Sequence, residues 1–199
     1  MRRFLALAVL LLGLGGAQGN RAVVHPAHIT PTPKYVTNAM LQGIPLVRQG
    51  YNQCGPASLQ MVLAYWGLGM DQAAIGALTK PDPRAYMGAA AIGTFASSVG
   101  LASTTVRGAS LNTVRAFLAQ GVPVIALSFF DTPGEVPHWR VVSGFDDKQR
   151  VVFVHDPLAG YVAIRYADFE TLRFGLGNII AVVYPGSYSA RVRLALSST

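Results

Sequence analysis

Near Gly121 the apolar residues of this chain change their spacing, and that change narrows the possible folds more than any other feature. Before it, Leu59, Val62, Leu63 and Trp66 recur at helical intervals, and Gly67 can end the helix. Leu111, Val114, Phe117 and Leu118 repeat the pattern between a capping Ser110 and a terminating Gly121. Asp71 can cap a further helix, "DQAAIGALTK", closed by Pro81, and "AAAIGTFASSVG" has small-residue helical character. After it, "VPVIALSFF", "HWRVVSGFDD", "RVVFVHDP", "GYVAIRY" and "NIIAVVYP" are short β-branched and aromatic runs divided by Asp, Gly and Pro. "FDDKQR" has hairpin-turn chemistry, and "ADFETLRF" suits one or two helical turns between strands. Helices first and strands afterwards predict an α+β fold, with a helical half packed on a mostly antiparallel sheet.

The chain of 199 residues can enclose one core, and 51% hydrophobic against 13% charged residues excludes a disordered polymer. The first 19 residues read as a secretory signal peptide: Arg2 and Arg3, an apolar run from Phe4 to about Leu14, then small residues. That run is shorter than the ~20 residues a membrane-spanning helix needs. Residues 20–43, rich in Pro, Thr and Ala, read as a linker or loosely docked arm, and its His25 and His28 as surface histidines. Residues 44–186 form the expected domain and 187–199 a C-terminal tail. Without Arg2 and Arg3 the chain keeps 14 basic residues against 9 acidic ones. The positive charges are scattered rather than clustered, which argues against nucleic acid as a partner.

Export sharpens the meaning of the single cysteine, Cys54, in "RQGYNQCGPASLQMVLAYWG". One cysteine cannot form an internal disulfide or a multi-cysteine metal site. It is an intermolecular bridge, an inert buried side chain or a reactive group. Its place at a helix start favours thiolate, because unpaired N–H groups and the helix dipole stabilise negative charge there. Acyl chemistry also needs a base, an orienter and oxyanion donors. His138 opens a strand and could be the base, or simply a surface histidine after "PGEVP". Asp156 closes another strand and could orient that base, or form a turn before Pro157. His155, one residue earlier, should point to the opposite strand face. Gln49, Asn52 and Gln53 all carry amides suited to an oxyanion, or are ordinary loop polar residues. Gln53 should point away, whereas Gln49 ends the extended "IPLVRQ" and can reach across the site. Trp66, Trp139, Tyr65 and Tyr161 read as core in preference to cleft.

These residues carry a resemblance. "QGYNQCGPAS" with "LQMVLAYWG", then "HWRVVSGFD", then "VFVHDPLAG", resembles the bacteriocin-processing, double-glycine-type cysteine peptidases and their stand-alone relatives in the papain-like group. The likeness runs over roughly residues 44 to 184. It implies a papain-like fold with Cys54 as nucleophile, His138 as base and acid, Asp156 as orienter and Gln49 as oxyanion-hole residue. In transporter-borne members the glutamine stands one residue further from the cysteine, where this chain has Arg48. The chain also lacks a transmembrane bundle and an ATPase domain, so an exported, stand-alone member is expected. The principal expectation is a peptidase acting on a peptide or protein, with no metal or organic cofactor. A papain-like acyltransferase using the same triad and a non-catalytic peptide-binding domain are the alternatives.

Overall fold

The computed structural model describes residues 36–199. The expected leader, most of the 20–43 arm, and His25 and His28 lie outside the described residues. Helix α1 runs Cys54–Tyr65, α2 Gln72–Thr79, α3 Ala89–Ser98 and α4 Leu111–Ala119. Their starts use the expected chemistry: Asp71 Oδ1 accepts from Ala74 N–H at 2.8 Å, and Ser110 Oγ from Thr113 N–H at 3.1 Å. Gly67 and Gly121, at φ +78° and +77°, allow left-handed exits that a β-carbon would oppose.

The five expected strands are β3 (Val124–Phe129), β4 (Pro137–Asp146), β5 (Val151–Asp156), β6 (Gly160–Arg165) and β7 (Ile180–Tyr184). "ADFETLRF" lies within α5 (Tyr166–Phe174), between β6 and β7. Two further strands, β1 (Asn38–Met40) and β2 (Ala102–Val106), complete one sheet ordered β2-β7-β3-β4-β5-β6, with β1 also on β4. Every pairing is antiparallel. β3 covers β4 from Pro137 to Val142, and β1 continues along Gly144 to Asp146. The close approach there requires glycine: a β-carbon on Gly144 would lie 2.6 Å from the Ala39 carbonyl oxygen.

α1 packs against β4 and α2. Leu59, Met61, Val62 and Leu63 on α1, with Val141, Val142 and Phe145 on β4, are essentially inaccessible. Each such aliphatic or aromatic side chain contributes about 1.5–3 kcal/mol by leaving water. This burial binds the helical half to the sheet and fixes the start of α1 near the start of β4.

Three places differ from the sequence reading. The end of the 20–43 arm is a strand, and Leu41 N–H donates to Ser143 O at 2.8 Å. β2 interrupts the helices-first order, pairing with β7 along its whole length. Residues 187–199, expected as a tail, carry helix α6 (Ser189–Ser197) on α4. Val192 and Ala195 of α6 are buried, and Tyr188 stacks edge-on with Trp66 at 4.6 Å. Among the described residues, no helix is long and apolar enough to cross a membrane.

Candidate active site

α1 begins at Cys54 itself. Gln53 precedes it without a side-chain cap, so the first N–H groups of the helix are left to other acceptors. A tight roof surrounds this end. Trp139 Nε1–H donates to Met87 O at 2.9 Å, and a β-carbon on Gly55 would lie 2.5 Å from Met87 Cε. Cys54 is 4% exposed, yet its pKa lies below the ordinary thiol value. Burial opposes ionisation. The hydrogen bond to His138, the Trp139 N–H, the imidazolium charge and the Gly55 N–H outweigh it.

His138 sits at the start of β4, opposite Ser128 of β3. Its Nε2 lies 3.0 Å from Asp156 Oδ1, a contact that leaves Nδ1 as the nitrogen for the Cys54 thiol. Burial favours the neutral ring, but Asp156 and Cys54 prevail and raise the imidazole above its usual value. Opposite shifts on the two partners favour a thiolate–imidazolium pair. Phe130 stacks edge-on with the His138 ring at 5.2 Å, restricting its tilt.

Asp156 ends β5, fully buried. Its Oδ1 also accepts from Leu158 N–H at 2.8 Å and Ala159 N–H at 2.9 Å. The turn-forming and the imidazole-facing readings of this residue therefore hold at once, on one oxygen. Burial alone would raise its pKa; the His138 hydrogen bond and charge, the Arg140 charge and the Ala159 N–H bring it to about 2. The carboxylate is ionised at any neutral pH.

The same turn anchors the segment before the helix. Gln49 N–H donates to Pro157 O at 3.1 Å, and Arg48 Nη1 donates to Leu158 O. Gln72 of α2 holds the other side, accepting from Gly50 N–H and donating to Arg48 O, both at 2.8 Å. The Gln49 side chain donates from Nε2 to Gly50 O at 3.3 Å, while its buried Oε1 has no partner. Asn52 and Gln53 are committed elsewhere. Asn52 Nδ2 donates to Arg84 O at 2.7 Å, and Gln53 lies against Gly76 of α2.

The structure thus brings Cys54, His138 and Asp156 into one contact chain and ties the Gln49 backbone to its edge. His155 faces elsewhere, as strand alternation requires. Its Nδ1 meets Ser143 Oγ at 3.0 Å, and its ring packs on Tyr161 at 4.5 Å. Trp66 and Trp139 are buried, whereas Tyr161 is 65% exposed. Sequence reasoning missed Arg140 and Gln72. Arg140 was within reach: it lies two residues after His138 on the same strand and so shares its face. Gln72 carries no such signal, because it meets residues 48–50 only through tertiary packing.

The sequence pattern of the Peptidase_C39 like family matches residues 41–174. The chain belongs to this family. Solved structures agree on the fold, which is of the α+β papain-like kind. The peptidase domain of Streptococcus ComA, a bi-functional ABC transporter involved in quorum sensing, is similar with a TM-score of 0.60 at 19% identity, over 71% of this chain and 98% of that one. A C39-like peptidase from Bacillus anthracis gives 0.59 at 16% identity, over 73% and 96%. A double glycine motif protease from an AMS/PCAT transporter, solved with its leader peptide, gives 0.55 at 21% identity, over 74% and 98%. Among curated proteins, none matches the sequence significantly. Family and fold support a peptidase-type function for this C39-like chain.

Proposed function

We propose that the chain is an exported cysteine peptidase that hydrolyses peptide bonds through Cys54, His138 and Asp156. The observation that carries this reading is the shared imidazole: one nitrogen of His138 on Asp156 at 3.0 Å, the other side on a thiol held below its ordinary pKa. In this mechanism His138 takes the thiol proton and Cys54 Sγ bonds to the substrate carbonyl carbon. The backbone N–H of Cys54 and the Gln49 amide donate to the resulting oxyanion, the latter after turning from Gly50 O. As the C–N bond breaks, His138 gives its proton to the leaving amine. The imidazole then activates water, which displaces the thiolate and frees the carboxylic acid. Asp156 stays ionised throughout and holds the ring in register. A peptide substrate also suits the leader-peptide complex of the transporter-borne relative.

The test is cleavage of a peptide library by the wild type and by Cys54→Ala, read by mass spectrometry. Wild-type cleavage abolished by the substitution is expected; equal product from both would overturn the reading. Ligation of added amines in place of hydrolysis would assign an acyltransferase instead. Export rests on residues 1–19 and is tested by N-terminal sequencing of the secreted product, with a start near residue 18 or 20 expected.

A further inference from the structure

Asp156 has two carboxylate oxygens, and the proposed mechanism uses one. Oδ1 serves His138 and the two turn N–H groups. Oδ2 is buried without a hydrogen bond, and the group that faces it is the guanidinium of Arg140, whose Nε lies 3.4 Å away. Extending the β4–β5 register one residue beyond Val141 and His155 sets Arg140 opposite Asp156, so strand pairing itself dictates the contact. Arg140 is 2% exposed. Its Nη2 donates to Phe129 O at 3.2 Å and to Phe130 O at 2.7 Å, at the end of β3. Its guanidinium carbon lies 5.9 Å from the centre of the Phe130 ring, the same ring that packs on His138.

A fully buried cation is expensive unless paired and hydrogen-bonded. A merely structural partner for Asp156 could be a neutral donor at far lower desolvation cost. The charge acts first on the carboxylate it touches, then on Asp131, and more weakly on the Cys54 thiolate beyond the imidazole. We infer that Arg140 is a positioning residue of the Cys54 site: it pins Asp156 through Oδ2 so that Oδ1 faces His138, and its charge supports the thiolate. The inference rests on the peptidase reading. The other charged groups around this pair are Asp131 on the β3–β4 loop, Arg165 on β6 and Asp168 on α5, which with Arg140 and Asp156 line one cavity of about 670 Å³. Arg165 and Asp168 pair with each other at 2.7 Å, so the cations that act on Asp156 are the His138 imidazolium on Oδ1 and Arg140 on Oδ2.

The experiment is iodoacetamide alkylation of Cys54 between pH 4 and 10, on wild type, Arg140→Met and Arg140→Lys, with peptide turnover measured alongside. Only the thiolate reacts, so the midpoint of the profile reads thiolate stability without requiring a substrate. Arg140→Met should move the midpoint upward by about half to one pH unit, in the direction an opposite charge removed from an acid dictates. Its kcat should fall roughly tenfold, a fraction of what acid–base catalysis supplies, with KM nearly unchanged. Arg140→Lys should return the midpoint most of the way. Should the Met variant fail to fold, Arg140→Gln keeps a donor for the Phe129 and Phe130 carbonyls, loses the charge and should shift the midpoint equally. A folded Met or Gln variant with the wild-type profile overturns this inference alone. A wild-type midpoint at the ordinary thiol value overturns the peptidase reading and this inference together.

Discussion

Two histidines on neighbouring strands of one sheet have opposite chemistry. His138 begins β4 with a carboxylate on one side and a thiol on the other, and its pKa is raised. His155 stands near the end of β5 with a serine hydroxyl and a tyrosine ring, and its pKa is lowered by burial, only partly offset by a hydrogen bond involving Ile44. Both are buried, at 2% and 7% exposure, so burial does not separate them. What separates them is strand parity: Asp156 follows His155 directly and so faces the other side, toward His138. A buried imidazole holds a proton only where an anion meets it.

The strongest way to break this contrast is to remove each ring. His138→Ala should lower kcat/KM by about 10³-fold, within the range a positioned acid–base supplies, whereas His155→Ala should change it by less than about fivefold. Peptide turnover measures both, and comparable losses would erase the distinction.

Removing the anion comes next. Asp156→Asn should lower kcat by about 10²-fold and return the His138 pKa toward its ordinary value. It should also remove a pH-dependent part of stability. The carboxyl titrates at about 2 in the fold against a reference of 3.8, a depressed value, so its contribution is present above pH 3.8 and lost as pH falls through about 2. The shift corresponds to about 2 kcal/mol. Urea unfolding of wild type between pH 2 and 7 should show that step, and the Asn variant should lack it.

Titration sharpens the contrast without mutation. By NMR of the ring protons, His138 should lose its proton above 6.5 and His155 below it. In the proposed peptidase, activity should rise as Cys54 ionises below the ordinary thiol range and fall as His138 deprotonates above the ordinary imidazole range. Reversed histidine assignments would contradict the geometry.

The smallest effect concerns the second site alone. Ser143→Ala should cost about 1–2 kcal/mol, the net value of its hydrogen bonds to His155 and the Phe153 carbonyl, and leave turnover unchanged. Loss of turnover in a stably folded Ser143→Ala would show that the two histidines are coupled through β4.

How legible each element was follows from how its stability arises. α1 could be read because its buried face is made of large apolar residues at regular spacing, and α2 and α4 because their caps are side-chain oxygens three residues from the N–H they accept. β2, "ASTTV", escaped notice. It is an edge strand of small hydroxyl residues with Thr105 exposed, and pairing with β7 rather than apolar alternation makes it a strand. α6 escaped because its buried positions, Val192 and Ala195, are too few to announce a helix before α4 is in place. At the candidate site, Cys54, His138 and Asp156 stood out by chemical type and order. Arg140 and Gln72 did not, since an arginine in a strand and a glutamine on a helix are ordinary until their partners are known.

Local sequence by itself determined the helices and strands that carry their own periodicity, the caps that start the helices, and the parity that sets His155 and Asp156 on opposite faces. These depend on bond geometry and on neighbours within a few residues. Only the tertiary structure decided that β1 continues β3 along β4, that the Gln49 amide rests on its own loop, and that a buried guanidinium occupies the far oxygen of Asp156. Each of these joins residues distant in sequence or chooses among several nearby partners, and packing of the whole sheet and its helices makes that choice.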